Sequence, residues 1–132
     1  MEVLFEVAEG SLESADSGKI VEAIVKTLDT KKAKNIKVLK ISDKTIIADY
    51  FVICNGTSTT QVRSLTDEVE YQLKRGNFPF VRIEGNDCID WKVVDVHDVI
   101  VHIFTEDARE FYKLEKLWAD ADEVDINNII ND

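Results

Sequence analysis

The run "DYFVICNG", residues 49 to 56, constrains the fold more than any other stretch, because it has no polar face. A strand with one wet side alternates apolar and polar residues. Tyr50 through Cys54 do not alternate, so the segment reads as a strand buried on both sides that ends at Gly56. A strand covered on both sides needs other elements above and below it, and the flanking sequence supplies them.

"SADSGKIVEAIVKTLDTKKAKN" places Ile20, Val21, Ile24, Val25 and Leu28 on one helical stripe, with Glu22 and Lys26 spaced as a helical pair. Ser14 or Ser17 would cap that helix. "TSTTQVRSLTDEVEYQLKRGN" repeats the pattern with Val62, Leu65, Val69 and Leu73. Thr57 or Ser58 would start it, and Gly76 would close it. "NIKVLKIS" alternates Ile36 and Val38 with lysines, which predicts a strand with one wet side. "FPFVRIEG" is a short strand whose Pro79 suits an edge. "DWKVVD" and "VIVHIF" read as paired strands around the tight "VHD" connection. "TEDAREFYKLEKLWADA" is a last helix, with Thr105 as its cap, Glu106 and Asp107 at its positive end, and Phe111, Leu114 and Trp118 as its apolar stripe.

The order is close to α-β-β-α-β-β-β-α. It predicts a single α/β (α+β) domain in which a mixed sheet of about five strands carries flanking helices. Its expected parts are a leader or appended N-terminus at 1–16, the folded domain at 17–121 and a tail at 122–132. At 132 residues the chain suits one core rather than two.

Composition narrows the function classes. With 16 basic and 26 acidic residues the net charge is −10, so direct RNA or DNA grip through a broad basic face is disfavoured, no direct DNA binding is expected, and a basic protein partner is favoured. Cys54 and Cys88 match no metal-ligand spacing, which fits a reduced, cytoplasmic setting. No apolar run approaches the ~20 residues needed to span a bilayer, and "MEVLFEVAEG" lacks the basic start of a secretory signal.

Chemistry finds no constellation. His102 sits inside an apolar run and reads as a core histidine, whereas His97, in the strand connection, is either a turn residue or a contact residue. Asp95, Asp98, Glu106 and Asp107 are explained by a turn and a helix start better than by a cation. "CNGTSTT" has one glycine, too few for a phosphate loop. The sequence therefore predicts no catalytic residue, metal or cofactor. Large and charged residues suggest instead a protein-binding face, with Trp91, Tyr112 and Trp118 as large anchors, Arg109, Glu115, Asp95 and Asp98 to orient a partner, and His97 as a further contact candidate. Trp118 is expected to seal the last helix to the sheet.

"ADYFVICNGTSTTQVRSLTDEVE", followed after "EG" by "WKVVDVHDVIVHIFTEDAREFYKLEKLWADA", resembles the Iojap-like ribosomal silencing factors (RsfS) over residues 17 to 121. The resemblance implies a non-enzymatic translation repressor with a nucleotidyltransferase-like topology that lacks that fold's metal-binding carboxylates. It implies docking on the large ribosomal subunit through ribosomal protein number fourteen, a steric block to joining of the small subunit during starvation, and homodimerisation. The family's Trp-led strand matches Trp91, Val93 and Asp95, its next aspartate matches Asp98, and its histidine matches His102. Its last-helix signature matches Arg109, Tyr112, Leu114, Glu115, Leu117 and Trp118. This chain departs at the turn, where Val96 and His97 replace the usual aromatic and glycine. The alternative is a degenerate nucleotidyltransferase-like protein that binds nucleotide at Gly56 to Ser58.

Overall fold

A computed structural model describes residues 16–78, 80–85 and 88–130. The expectations placed on Ser14 and Pro79 lie outside the described residues. Helix α1 spans Ser17–Thr30, and its cap is Asp16, whose carboxylate accepts from the Lys19 N–H at 2.9 Å. Ser17 is instead the first helical residue, and its hydroxyl donates to Asp49 at 3.0 Å, tying α1 to the start of the central strand. Helix α2 spans Thr59–Arg75. At its start Ser58 Oγ caps the helix by accepting from the Gln61 N–H at 3.1 Å, while Gln61 Oε1 accepts from the amide and hydroxyl of Thr57, the residue before the cap. Gly76 closes the helix, but the left-handed residue that turns the chain away is Asn77 (φ 68°).

The strands are β1 (Lys34–Lys40), β2 (Tyr50–Gly56), β3 (Arg82–Glu84), β4 (Trp91–Asp95), β5 (Val99–Thr105) and β6 (Asp122–Val124). They form one mixed sheet in the order β3-β4-β5-β2-β1-β6. Only β2 and β5 run parallel, with Val52 beside Val101 and Cys54 beside Ile103. A parallel pair needs a long crossover, here made by α2, β3 and β4. The sixth strand comes from the stretch read as a tail, pairing with Val38–Lys40 along the outer edge of β1. Three residues carry too little apolar periodicity to signal a strand before a partner edge exists.

The two cores sit on opposite sides of the sheet. α1 and α2 cover one side with an aliphatic layer in which Val25, Leu28, Val38, Val52, Val62, Leu65 and Val101 are essentially inaccessible. Burying each such side chain contributes about 1.5–3 kcal/mol, the gross term that offsets chain entropy. The other side carries Leu39, Ile41, Phe51, Ile53 and Phe104, roofed by Ala108, Leu114 and Trp118. Leu39 explains why β1 is not wet on one side as its lysines suggested.

The last helix is not continuous. α3 covers Glu106–Tyr112, capped by Thr105 as expected, and the chain then turns through Lys113 (φ 50°) into a single turn, α4, at Leu114–Leu117. The stripe expected for Phe111, Leu114 and Trp118 is therefore split. Leu114 and Trp118 pack on the sheet, whereas Phe111 is 78% exposed.

Candidate functional site

The sheet side under α3 and α4 is half-roofed, and its aromatic residues form a continuous chain from core to surface. Strand parity puts Trp91, Val93 and Asp95 of β4 on this side, opposite Phe104, His102 and Ile100 of β5. Trp118 meets Phe51 edge-on at 5.2 Å, and Phe51 meets His102 at 4.7 Å. Trp91 stacks on Phe104 at 4.8 Å and lies 4.8 Å from Tyr112, which in turn touches Phe111 at 5.0 Å. Trp91 is half-buried, and Tyr112 and Phe111 are exposed. Trp118, expected as a seal, and Trp91, expected as the more exposed anchor, are both half-buried against the same cluster.

His102 holds the indole in place. Trp91 Nε1 donates to His102 Nδ1 at 3.2 Å. An indole nitrogen can only donate, so Nδ1 accepts and the ring proton resides on Nε2. That Nε2 is buried and has no partner among the described residues. Burial lowers the His102 pKa to about 4, so the ring is neutral near pH 7. The histidine is buried as its apolar neighbours implied, but only one of its nitrogens is satisfied.

Asp95, His97 and Asp98 gather at the other end of β4, in the hairpin closed by Val96 N–H to the Val99 carbonyl at 2.9 Å. Asp95 pairs with Arg82 at 3.1 Å and accepts the His97 N–H at 3.1 Å. The Asp98 carbonyl accepts from the Asp49 and Tyr50 amides at 2.7 and 3.2 Å, and the residue is exposed. His97 takes a left-handed conformation (φ 70°), with its ring 5.6 Å from Phe80. That backbone geometry is where glycine is cheapest, which accounts physically for the glycine expected at this turn.

Arg109 is placed differently. Its guanidinium donates to the Asn35 carbonyl (2.6 Å), to Asn55 Oδ1 (2.9 Å) and to both oxygens of Glu115 (3.3 and 2.8 Å). Only 12% of its side chain is exposed. Burial works to raise the Glu115 carboxyl, but the hydrogen bonds and charge of Arg109, with the charge of Lys37, hold it below its ordinary value. The clamp ties α3, α4, β1 and β2 together and faces a cleft on the other flank of α3 from Trp91. Of the six residues singled out, the structure thus joins Trp91 with Tyr112, groups Asp95, His97 and Asp98, and sets Arg109 apart. Sequence reasoning missed Phe111, Val93 and Ile100 as surface of this face. Phe111 has helical spacing to Leu114, and no glycine, asparagine or proline marks the break at Lys113.

Among the described residues no three His, Cys, Asp or Glu side chains are grouped to hold a metal ion. Burial pushes the Cys54 thiol up to about 12, against a smaller pull from the Arg109 charge, so it stays protonated. No helix among the described residues is long and apolar enough to cross a membrane.

Residues 14–132 match the family model described as ribosomal silencing factor during starvation. A ribosomal silencing factor of Haemophilus influenzae is 42% identical over 100 residues, covering 76% of this chain and 98% of that protein. A mouse protein named for mitochondrial assembly of the ribosomal large subunit is 35% identical over 74% of this chain, which spans 44% of its length. The crystal structure of a Chromobacterium violaceum protein superposes with a TM-score of 0.76 at 30% identity, covering 79% of this chain and 87% of its own. A fold shared at that identity, a family model spanning nearly the whole chain, and relatives matched almost end to end all agree, and the chain belongs to the RsfS family of ribosomal silencing factors.

Proposed function

We propose that this protein is a cytoplasmic, ribosome-associated silencing factor that acts by occupying a surface, without making or breaking a bond. Its docking face is the half-roofed sheet side, with Trp91, Tyr112 and Phe111 as anchors and Asp95, Asp98 and His97 at the far rim. Its partner is the large ribosomal subunit, engaged through ribosomal protein number fourteen, and its bulk excludes the small subunit. The protein is a homodimer when free. Arg109 serves the face indirectly, by fixing the break between α3 and α4 that exposes Phe111 and Tyr112.

The observation that carries the reading is the aromatic chain itself. Isolated exposed apolar residues are ordinary, but three contiguous large rings held from below by Phe104 and His102 form a preorganised patch. Such anchors dominate protein interfaces, and truncating one costs ~2 kcal/mol or more, about 30-fold in affinity. The acidic chain suits a basic protein partner. Co-sedimentation is the test. Wild-type protein should pellet with large subunits and not with joined ribosomes, and Trp91→Ala should pellet at least tenfold less while melting within a few degrees of wild type. Equal pelleting of the mutant would remove Trp91 from the interface. Heat on mixing with ATP and magnesium would favour the nucleotide-binding alternative instead.

A further inference from the structure

The net charge of −10 conceals a local reversal. Between Asp29 and Asp43 the chain carries five lysines (Lys31, Lys32, Lys34, Lys37 and Lys40) and no carboxylate. Lys40 lies beside Asp122 of β6, but β6 pairs only with Val38–Lys40, so the first half of β1 has no strand on its outer edge. Lys31 and Lys37 reach carboxylates only at 4.0 Å, and Lys32 and Lys34 form no ion pair among the described residues. All but Lys37 are exposed.

The backbone under these lysines is held from two sides. Gln61 of α2 donates to the carbonyls of Lys31 and Lys32 at 3.5 and 3.3 Å, and Arg109 of α3 donates to the carbonyl of Asn35. Lys32 and Asn35 are both left-handed, at φ 67° and 52°. The turn is therefore a fixed base from which the lysines project, so less chain entropy is lost on binding. Lys37 lines a cleft together with Lys113 and Lys116, and Lys116 forms no ion pair among the described residues. Inside that cleft charge is balanced: Arg109 is taken by Glu115, Lys113 by Glu110 at 3.2 Å, and Glu106 and Asp107 sit at the positive end of α3. Two cations without an ion pair among the described residues, Lys32 and Lys34, lie in the adjoining turn, with Lys31 beside them 4.0 Å from Glu68.

We infer that this lysine turn is a second contact surface, and that it binds the phosphate backbone of RNA beside the protein docked on the Trp91 face. Among the described residues Ile36 is the only apolar side chain lining the adjoining cleft, so it lacks the anchors that a protein partner needs. Point-charge ammonium groups on a polar surface are what phosphates require. The two surfaces flank the same helix, Tyr112 on one side of α3 and the lysine cleft on the other. The inference rests on the ribosomal reading, since a large subunit presents protein and RNA side by side.

The test is binding to purified large subunits across 50–200 mM KCl, comparing wild type, the double variant Lys32→Glu with Lys34→Glu, and Trp91→Ala. The double variant should lose at least about tenfold in affinity at the lowest salt, and its log-log salt slope should fall by about two. Trp91→Ala should lose affinity with the wild-type slope. A photo-crosslinker at position 32 should yield an adduct that ribonuclease destroys. Wild-type affinity and slope in the double variant, or a protein-only adduct, would overturn the inference. If wild type does not bind subunits, the docking reading fails separately. The turn is then judged on extracted ribosomal RNA, where wild type should bind at least tenfold tighter than the double variant, and equal binding overturns it.

Discussion

The two sides of the sheet are built from different residues for different ends. Under α1 and α2 the layer is aliphatic, drawn from three directions and closed: Val25, Leu28, Val52 and Val101 are inaccessible. Under α3 and α4 it is aromatic and open at one end, with Phe104 sealed, Trp91 half-buried and Tyr112 in solvent. Branched aliphatic chains interlock at high density and stabilise by exclusion of water. Stacked rings give large rigid area with few rotamers, which suits a surface that must be ordered before a partner arrives. One side keeps the fold together, and the other spends part of its apolar surface on exposure.

That division can be broken experimentally. The largest effect belongs to the closed side: Leu28→Ala should destabilise by about 2–5 kcal/mol in denaturant titration, while residual folded protein keeps full affinity for large subunits. A loss of affinity without loss of stability would mean that the two sides are not separable. Acid should next attack the aromatic side. His102 is neutral in the fold with its pKa at about 4, against an ordinary 6.5 when unfolded. The unfolded chain therefore takes up the proton first, so stability is complete above about pH 6.5 and declines as pH falls towards 4, by roughly 3 kcal/mol at most. His102→Asn, which retains an acceptor for Trp91, should remove that slope. A slope equal to wild type would assign it to other groups.

Arg109→Ala leaves the buried Asn55 oxygen with the longer bond from Asn35 at 3.4 Å and leaves Glu115 without its main counter-charge. It should cost about 2 kcal/mol and release α3, weakening subunit binding through Phe111 and Tyr112. Unchanged stability would show that the clamp is dispensable. The smallest effect lies in the hairpin: His97→Gly relieves a left-handed backbone and should raise stability by about 1 kcal/mol in thermal melts, less what the Phe80 contact contributes. A lower melting temperature would mean that the ring contact outweighs the backbone cost.

Much of this architecture was legible beforehand. The stripes of α1 and α2, the cap at Thr105 and the doubly buried β2 follow from periodicities of 3.6 and 2 that the chain states locally. That Trp118 packs on the sheet was legible too, because it ends an apolar stripe. The break at Lys113 was not legible, because lysine carries no signal for a left-handed residue and the stripe continues past it. Nor was the cap at Asp16, where serines on either side offered the same chemistry.

The amino-acid order alone determined which segments must be buried and what kind of element each becomes, because solvent exclusion acts on local patterns. It also carried the family's signature, in long runs of specific side chains. Tertiary structure alone decided the pairing of distant groups. Arg109 met Asn55 and Glu115, His102 met Trp91, and the turn carrying Lys31 and Lys32 was pinned by Gln61. Those outcomes depend on distances across the sheet, and net charge or spacing averages them away.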